Sequence, residues 1–375
     1  MELAFQSDFP GGNGLALGVE ESAERVTVRF AAEPKNCPEA MWFHFRVAGL
    51  AGRPVRCILA NPEQTLGGWD WSKNRPVQRP AGGAWSRSGA AQRIDAAGGR
   101  VEWAWDIGGG AEHIEVAHCF PYQPADMEAT LREIGGAFQT AMIGVSSKGR
   151  PMIRIYSTMP EAAKPAVLLL ARNHAGETPG SWVLDGALRH VAASEALRNA
   201  VTWWAVPFVD LDDVVEGSYG KDPWPHDCNR SYGNGKRPET IAVVADGARL
   251  AKASRRLFVA DLHAPAHAER QCYVPTRGWE PNSPTNPIAE EFGQRLNAAV
   301  PEDIRSSTAT ITPPGGANTR YEGPSACRWA TERLGQQGVT IEISYQGTES
   351  ADYGIGDYHR IGAALAETLA AWVTA

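Results

Sequence analysis

The strongest constraint on the fold is a change of hydrophobic period near residue 125. Before it, short runs alternate by twos: Arg25-Val26-Thr27-Val28-Arg29-Phe30, Trp42-Phe43-His44-Phe45-Arg46-Val47 and Arg100-Val101-Glu102-Trp103-Ala104-Trp105. Successive side chains of a strand point to opposite faces, so this pattern predicts half-buried strands. Pro10-Gly11-Gly12-Asn13-Gly14, Gly67-Gly68, Gly82-Gly83 and Gly108-Gly109-Gly110 punctuate them. Trp42, Trp69, Trp71, Trp85, Trp103 and Trp105 crowd the same stretch, and inter-sheet packing is the plainer reading for them than a sugar platform. Residues 1–123 therefore read as an antiparallel β-sandwich domain.

After the change, apolar runs alternate with amphipathic stretches. Residues 125–134 look helical, with Asp126 as the expected N-cap. Strands are expected at 152–157, 166–171, 202–208, 256–261 and 339–344, and helices at 179–193, 239–254, 287–298 and 360–373. This alternation predicts an α/β domain over 124–375, with a mixed, mostly parallel sheet and helices on both faces. The Pro/Gly-rich segments 212–238, 273–286 and 311–324 break the alternation and are where a site on a rigid sheet would sit. Gly233-Asn234-Gly235 and Gly315-Gly316 read as turns, with no phosphate-cradle pattern.

Composition narrows the function. Apolar residues make up 43% and charged residues 21% of the 375, which excludes a mainly disordered chain. The longest aliphatic run, Ala166 to Ala171, is far short of the ~20 residues that cross a bilayer. A net charge of −7 without a Lys/Arg cluster disfavours nucleic acid and anionic membrane as partners. The start lacks a basic segment followed by an apolar one, so no secretory signal is read and a cytoplasmic location is expected. The six cysteines are far apart and form no C-x-x-C pair, so reduced, buried thiols are expected.

Four stretches carry candidate chemistry. In Arg172-Asn173-His174-Ala175-Gly176-Glu177-Thr178-Pro179, a strand ends and a helix begins, with Thr178 as expected N-cap. His174 and Glu177 offer an imidazole nitrogen and a carboxylate oxygen, both natural zinc ligands, though such a pair also occurs by chance. The strand Arg256-Leu257-Phe258-Val259-Ala260-Asp261-Leu262-His263 ends on a histidine at the sheet edge where α/β folds place sites, and His263 could be a third ligand. His267 is an alternative to it. Glu342 is the one charge in the strand Gly338-Val339-Thr340-Ile341-Glu342-Ile343-Ser344. A buried carboxylate needs a partner or a metal, and desolvation raises its pKa as a general base requires. A structural ion pair is the other reading. In His226-Asp227-Cys228-Asn229-Arg230, Asn229 and Arg230 suit a carboxylate, and Asp227 could orient a ligand histidine.

The order H-x-x-E, D-x-N-R, strand-end His and strand Glu resembles the zinc carboxypeptidases of the M14 type. The closer resemblance is to the cytosolic branch, which carries a β-sandwich ahead of the catalytic domain. Phe120-Pro121-Tyr122-Gln123-Pro124-Ala125-Asp126 resembles that branch's interdomain link. The resemblance implies zinc held by His174, Glu177 and His263, with Glu342 as general acid/base. It implies Asn229 and Arg230 as binders of the substrate's terminal carboxylate, and Asp227 as partner of the first ligand histidine. Tyr321, 21 residues before Glu342, fits the family's mobile tyrosine, and Trp329 supports that register. One departure stands out: Gly220 falls where the family usually has an arginine that polarises the scissile carbonyl. Lys221 beside it could supply the charge but not a planar bidentate contact.

The implied reaction is hydrolysis of a C-terminal residue, or of a related amide whose leaving amine carries a carboxylate. Arg328 lies near the family's specificity stretch and would favour an acidic residue, although Cys327 could occupy that place instead. The rival readings are an N-acyl amino acid amidase or cell-wall peptide hydrolase on the same fold, and a non-catalytic binding protein. The sandwich is open as a surface for a protein partner or an oligomer contact.

Overall fold

The computed structural model describes residues 2–65, 67–109, 112–277, 283, 285–312 and 320–375. Gly315-Gly316 lie outside the described residues. Two five-stranded sheets occupy the N-terminal part. One orders Ala4–Gln6, His44–Ala48, His113–Ala117, Val77–Pro80 and Ser86–Arg87; the other orders Leu15–Glu21, Val26–Ala31, Val55–Leu59, Val101–Ile107 and Gln92–Asp95. The expected antiparallel pairing holds with one exception, because Val26–Ala31 lies parallel to Val55–Leu59. The chain leaves the second sheet after Ala31, forms His44–Ala48 in the first, and returns, and such a crossover brings two strands back in the same direction. Trp42, Trp71, Trp103 and Trp105 are buried, Trp42 against the Gly176 turn of the second part, whereas Trp69 is about half exposed.

The second part is built on a six-stranded sheet in the order Gln139–Val145, Pro151–Tyr156, Thr202–Val206, Ala166–Ala171, Leu257–His263, Gln337–Glu342. The first two strands pair antiparallel and the last four run parallel. Ala166–Ala171 is buried along its whole length, which is why it reads as an unbroken aliphatic run. Helices cover both faces. A methyl group at Gly247 in the helix Pro238–Ala253 would meet Leu168, and one at Gly180 in the helix Thr178–Ala193 would meet Leu262. The register sets Leu168 opposite Val259, so Leu168 and Leu262 project from opposite faces. The helix Ile355–Thr374 packs beside Thr178–Ala193.

Two expected caps are displaced. The helix Pro124–Glu133 is capped at Gln123, and Asp126 sits three residues inside, accepting the Gln123 N–H at 2.7 Å as a capping box. The helix expected to start after Thr178 has Glu177 at its cap position, and the Glu177 carboxylate is drawn away from the helix end toward two histidines. All six cysteines are free thiols. No helix among the described residues is long and apolar enough to cross a membrane.

Candidate metal centre

The site lies at the carboxyl ends of the parallel strands, where an open α/β sheet leaves a crevice. Strand register does much of the assembly. Leu257–His263 and Gln337–Glu342 are neighbours, and His263 pairs with Glu342 at their shared end. The terminal residue of one strand is thereby set beside the terminal residue of the next. His174 and Glu177 arrive from the turn after Ala166–Ala171, the neighbour on the other side.

His174, Glu177 and His263 are buried, and their ligand atoms lie within 4.8 Å of one another. The His174 Nδ1 is 2.7 Å from Glu177 Oε1, and the His263 Nδ1 is 2.8 Å from Glu177 Oε2. Each ring presents Nδ1 inward and has an acid behind its Nε2, hydrogen-bonded in the case of His263. Asp227 Oδ2 lies 3.5 Å from His174 Nε2, and Asp261 Oδ2 lies 2.9 Å from His263 Nε2. Such carboxylate–histidine pairs fix ring orientation and tautomer at metal sites. Burial pushes the Glu177 carboxyl up, but His174 and then His263 outweigh it and hold the group well below the usual range. Burial opposes protonation of His263, yet Asp261 and Glu177 push its pKa well above the ordinary value. The surroundings thus favour positive charge at this point, and two imidazoles with one carboxylate are a donor set that can hold a metal ion.

Glu342 is partly buried at the floor of a cleft of about 760 Å³. Its Oε2 is buried without a hydrogen-bond partner among the described residues. Desolvation raises its pKa to about 7, with the Glu177 charge adding to the rise and His263 and Lys221 opposing it. A carboxyl poised near neutrality with an open oxygen can accept and return a proton.

Lys221, Asn229 and Arg230 line the same cleft. Gly220 carries φ +78°, and a Cβ there would stand 2.3 Å from the Ala175 backbone nitrogen. No side chain fits at 220 without moving the His174–Glu177 turn, so the missing arginine has a steric reason. Asn229 has its Nδ2 3.2 Å from His263 Nε2, and its Oδ1 accepts the Ala326 N–H at 3.2 Å. Arg230 Nη1 donates to its neighbour's carbonyl, Asn229 O, at 2.8 Å. Tyr321 stacks on His226 at 4.4 Å between ring centroids and does not line the cleft. His267 is not with the other donors. Its ring stacks on Trp71 at 4.5 Å, and its Nδ1 lies 2.7 Å from Asn74 Nδ2.

Two residues of the site carry no role in the sequence reading. Asp261 backs His263, and Asn173 Nδ2 donates to its other oxygen at 2.7 Å. The spacing Asp261-Leu262-His263 puts both side chains on one strand face, a signal that was available. Arg277, in the loop after Val274–Pro275, lines the cleft beside Cys327 and Thr340, with 13% of its side chain exposed and its Nη1 3.8 Å from Glu332 Oε1. Arg328 also lines the cleft, but its Nε donates to Glu332 Oε1 at 2.8 Å and 41% of its side chain is exposed. Nothing local in the sequence marks Arg277.

This architecture is the metallocarboxypeptidase fold. A metallo-carboxypeptidase from Burkholderia cenocepacia superposes with a TM-score of 0.77 over 98% of both chains at 20% identity. A metallo-carboxypeptidase from Pseudomonas aeruginosa, solved in complex with (2-guanidinoethylmercapto)succinic acid, superposes at 0.76 over 99% of each chain, also at 20% identity. Residues 5–118 match the family model described as the cytosolic carboxypeptidase N-terminal domain. Cytosolic carboxypeptidase 2 of Danio rerio is 26% identical over 260 residues, which is 61% of this chain and 36% of that protein. The Xenopus tropicalis protein of the same name is 23% identical over 263 residues, 62% of this chain and 27% of its own length. The chain therefore spans about a third or less of these curated relatives. Residues 5–118 are thus similar to the N-terminal domain of the cytosolic carboxypeptidases, and the chain has the fold of the metallocarboxypeptidases.

Proposed function

We propose that the protein is a zinc metallocarboxypeptidase that removes a C-terminal residue from a peptide, or cleaves a related amide bearing a terminal carboxylate. The observation that supports this most is the meeting of His174, Glu177 and His263 beside Glu342 in one cleft that also holds Arg230 and Lys221. In this reading His174, Glu177 and His263 hold the zinc, and Asp227 and Asp261 orient the two rings. Zinc in such a site supplies Lewis acidity toward a carbonyl and acidifies a water. Glu342 takes the proton of the attacking water at its open oxygen and returns it to the leaving amine. Arg230 and Asn229 hold the terminal carboxylate, with Tyr321 joining after it swings from His226, which aligns the scissile bond. Lys221 stabilises charge that develops on the carbonyl oxygen. The cleft's cations, Arg277 on the inner wall and Arg328 nearer solvent, suit an acidic side chain on the departing residue. We further propose that the sandwich extends to residue 123, that the catalytic unit begins at 124, and that the protein works in the cytoplasm.

The test is a panel of peptides ending in acidic, basic and apolar residues, alongside N-acyl amino acids, assayed on protein with one zinc per chain. Release of C-terminal glutamate or aspartate by the wild type is expected. Glu342→Gln should keep its zinc and lose about 10³-fold or more in kcat. Cleavage of the N-acyl substrates alone would move the assignment to an amidase, and equal activity of the variant would remove Glu342 from the chemistry.

A further inference from the structure

We propose that the N-terminal sandwich positions Lys221, with Asn36 and Cys37 clamping the turn that carries it into the cleft. This rests on the reading of Lys221 given above. The turn leaves the short helix Leu211–Glu216 at Gly217, which is left-handed at φ +71°, and reaches Lys221 four residues later. One side of it is held by the sandwich. Asn36 Nδ2 donates to Asp213 Oδ1 at 2.9 Å, and the Ser218 hydroxyl donates to Asn36 Oδ1 at 2.6 Å. The Gly220 N–H donates to Cys37 Sγ at 3.1 Å, and the Trp224 N–H donates to Asn36 O at 2.8 Å. Asn13 Nδ2 adds a bond to Gly217 O at 2.7 Å.

The other side of the turn rests on the metal-donor segment. The Gly176 N–H donates to Tyr219 O at 2.7 Å, and Gly220 abuts Ala175. Residues 36 and 37 therefore press the turn against the loop that carries His174 and Glu177. Burial pushes the Cys37 thiol up to about 12, so it stays protonated and acts as a packed acceptor rather than a nucleophile. A lysine has a long, flexible stem, so the position of its backbone decides where its ammonium is concentrated. An unclamped turn would spread that charge and lose stabilisation in the transition state more than substrate binding. Asn36 does not line the cleft, and it is a positioning residue.

The experiment compares Asn36→Ala, Cys37→Ala and Cys37→Ser in the full chain with its metal, alone and combined with Lys221→Met. Asn36→Ala and Cys37→Ala should each lower kcat about tenfold with little change in KM. Cys37→Ser, which keeps an acceptor for the Gly220 N–H, should restore most of it. In the Lys221→Met background Asn36→Ala should add nothing, because the side chain it positions is gone. Amide hydrogen exchange at Gly220 and Lys221 should quicken in both alanine variants while zinc content stays at one per chain. Effects that multiply in the double variant, or an unchanged kcat in Asn36→Ala, overturn the proposal. So does unchanged exchange across the turn, a result that stands whatever substrate is used. Failure of the zinc-loaded wild type on every peptide would instead remove the hydrolase reading.

Discussion

Glu115 and Glu342 are both acidic residues on strands, one inside a sheet of the sandwich and one at the end of the strand that edges the cleft, and their surroundings drive them in opposite directions. Burial pushes both carboxyls up. At Glu115 the response is three partners, two of them arginines: His44 Nε2 at 3.2 Å, Arg46 Nη2 at 3.2 Å and Arg79 Nη2 at 3.0 Å. Chiefly through His44 and Arg79, they bring its pKa down to about 2. At Glu342 one oxygen is left without a hydrogen-bond partner among the described residues, and the pKa rises to about 7. The sandwich saturates its interior acid. The cleft leaves its acid unsatisfied, a state that removes stability and is tolerated where a reacting molecule will complete the set.

The largest test of this contrast is metal removal. If His174, Glu177 and His263 hold zinc as proposed, chelation should abolish hydrolysis and lower the melting temperature; activity assays and calorimetry before and after zinc readdition would show it. Persistence of hydrolysis in chelated protein would break the contrast outright. Next in size, Asp261→Asn should weaken metal affinity 10–100-fold by removing the carboxylate behind His263, as read by competition with a zinc indicator. An equal loss in Glu115→Gln would mean the two regions do not differ in kind.

Glu115→Gln should instead cost about 2 kcal/mol of stability at pH 7, discounted because Arg46 and Arg79 can rehydrate, with kcat unchanged. Denaturant titration is the measurement. The same pair of proteins gives the smallest and sharpest test. Glu115 titrates in the folded state well below its ordinary 4.5, so its contribution is complete above that pH and disappears as the pH falls toward 2. Wild type and Glu115→Gln should therefore converge in stability across that window, and a gap that widens on acidification would invert the assignment.

What could be read in advance follows from how local each cause is. Ala166–Ala171 coincides with its expected boundaries because complete burial leaves an unmistakable hydrophobic run. The next strand was expected at 256–261 and runs Leu257–His263, since Asp261 and His263 look like an ending until their charges are met by Asn173 and Glu177. Gln337–Glu342 lies two residues before the expected 339–344, so Glu342 is a strand end and not a strand centre. The helix Ile355–Thr374 begins five residues early because its start is set by Asp357 accepting the Gly354 N–H, without an apolar stripe to announce it. The H-x-x-E and D-x-N-R patterns were visible because their members are close in sequence. Arg277, and the grip of Asn36 on a turn some 180 residues away, were not, because tertiary folding alone brings them together.

The crowding of Gly220 against the Ala175 backbone has a bearing on engineering. A guanidinium cannot be grafted at that place by one exchange, since any added carbon would pry open the very loop that bears two donors. A designer wishing to convert the lysine-bearing cleft into an arginine-bearing one would have to begin at 221. The newcomer would then approach the scissile bond from one peptide further along, with a trajectory of its own.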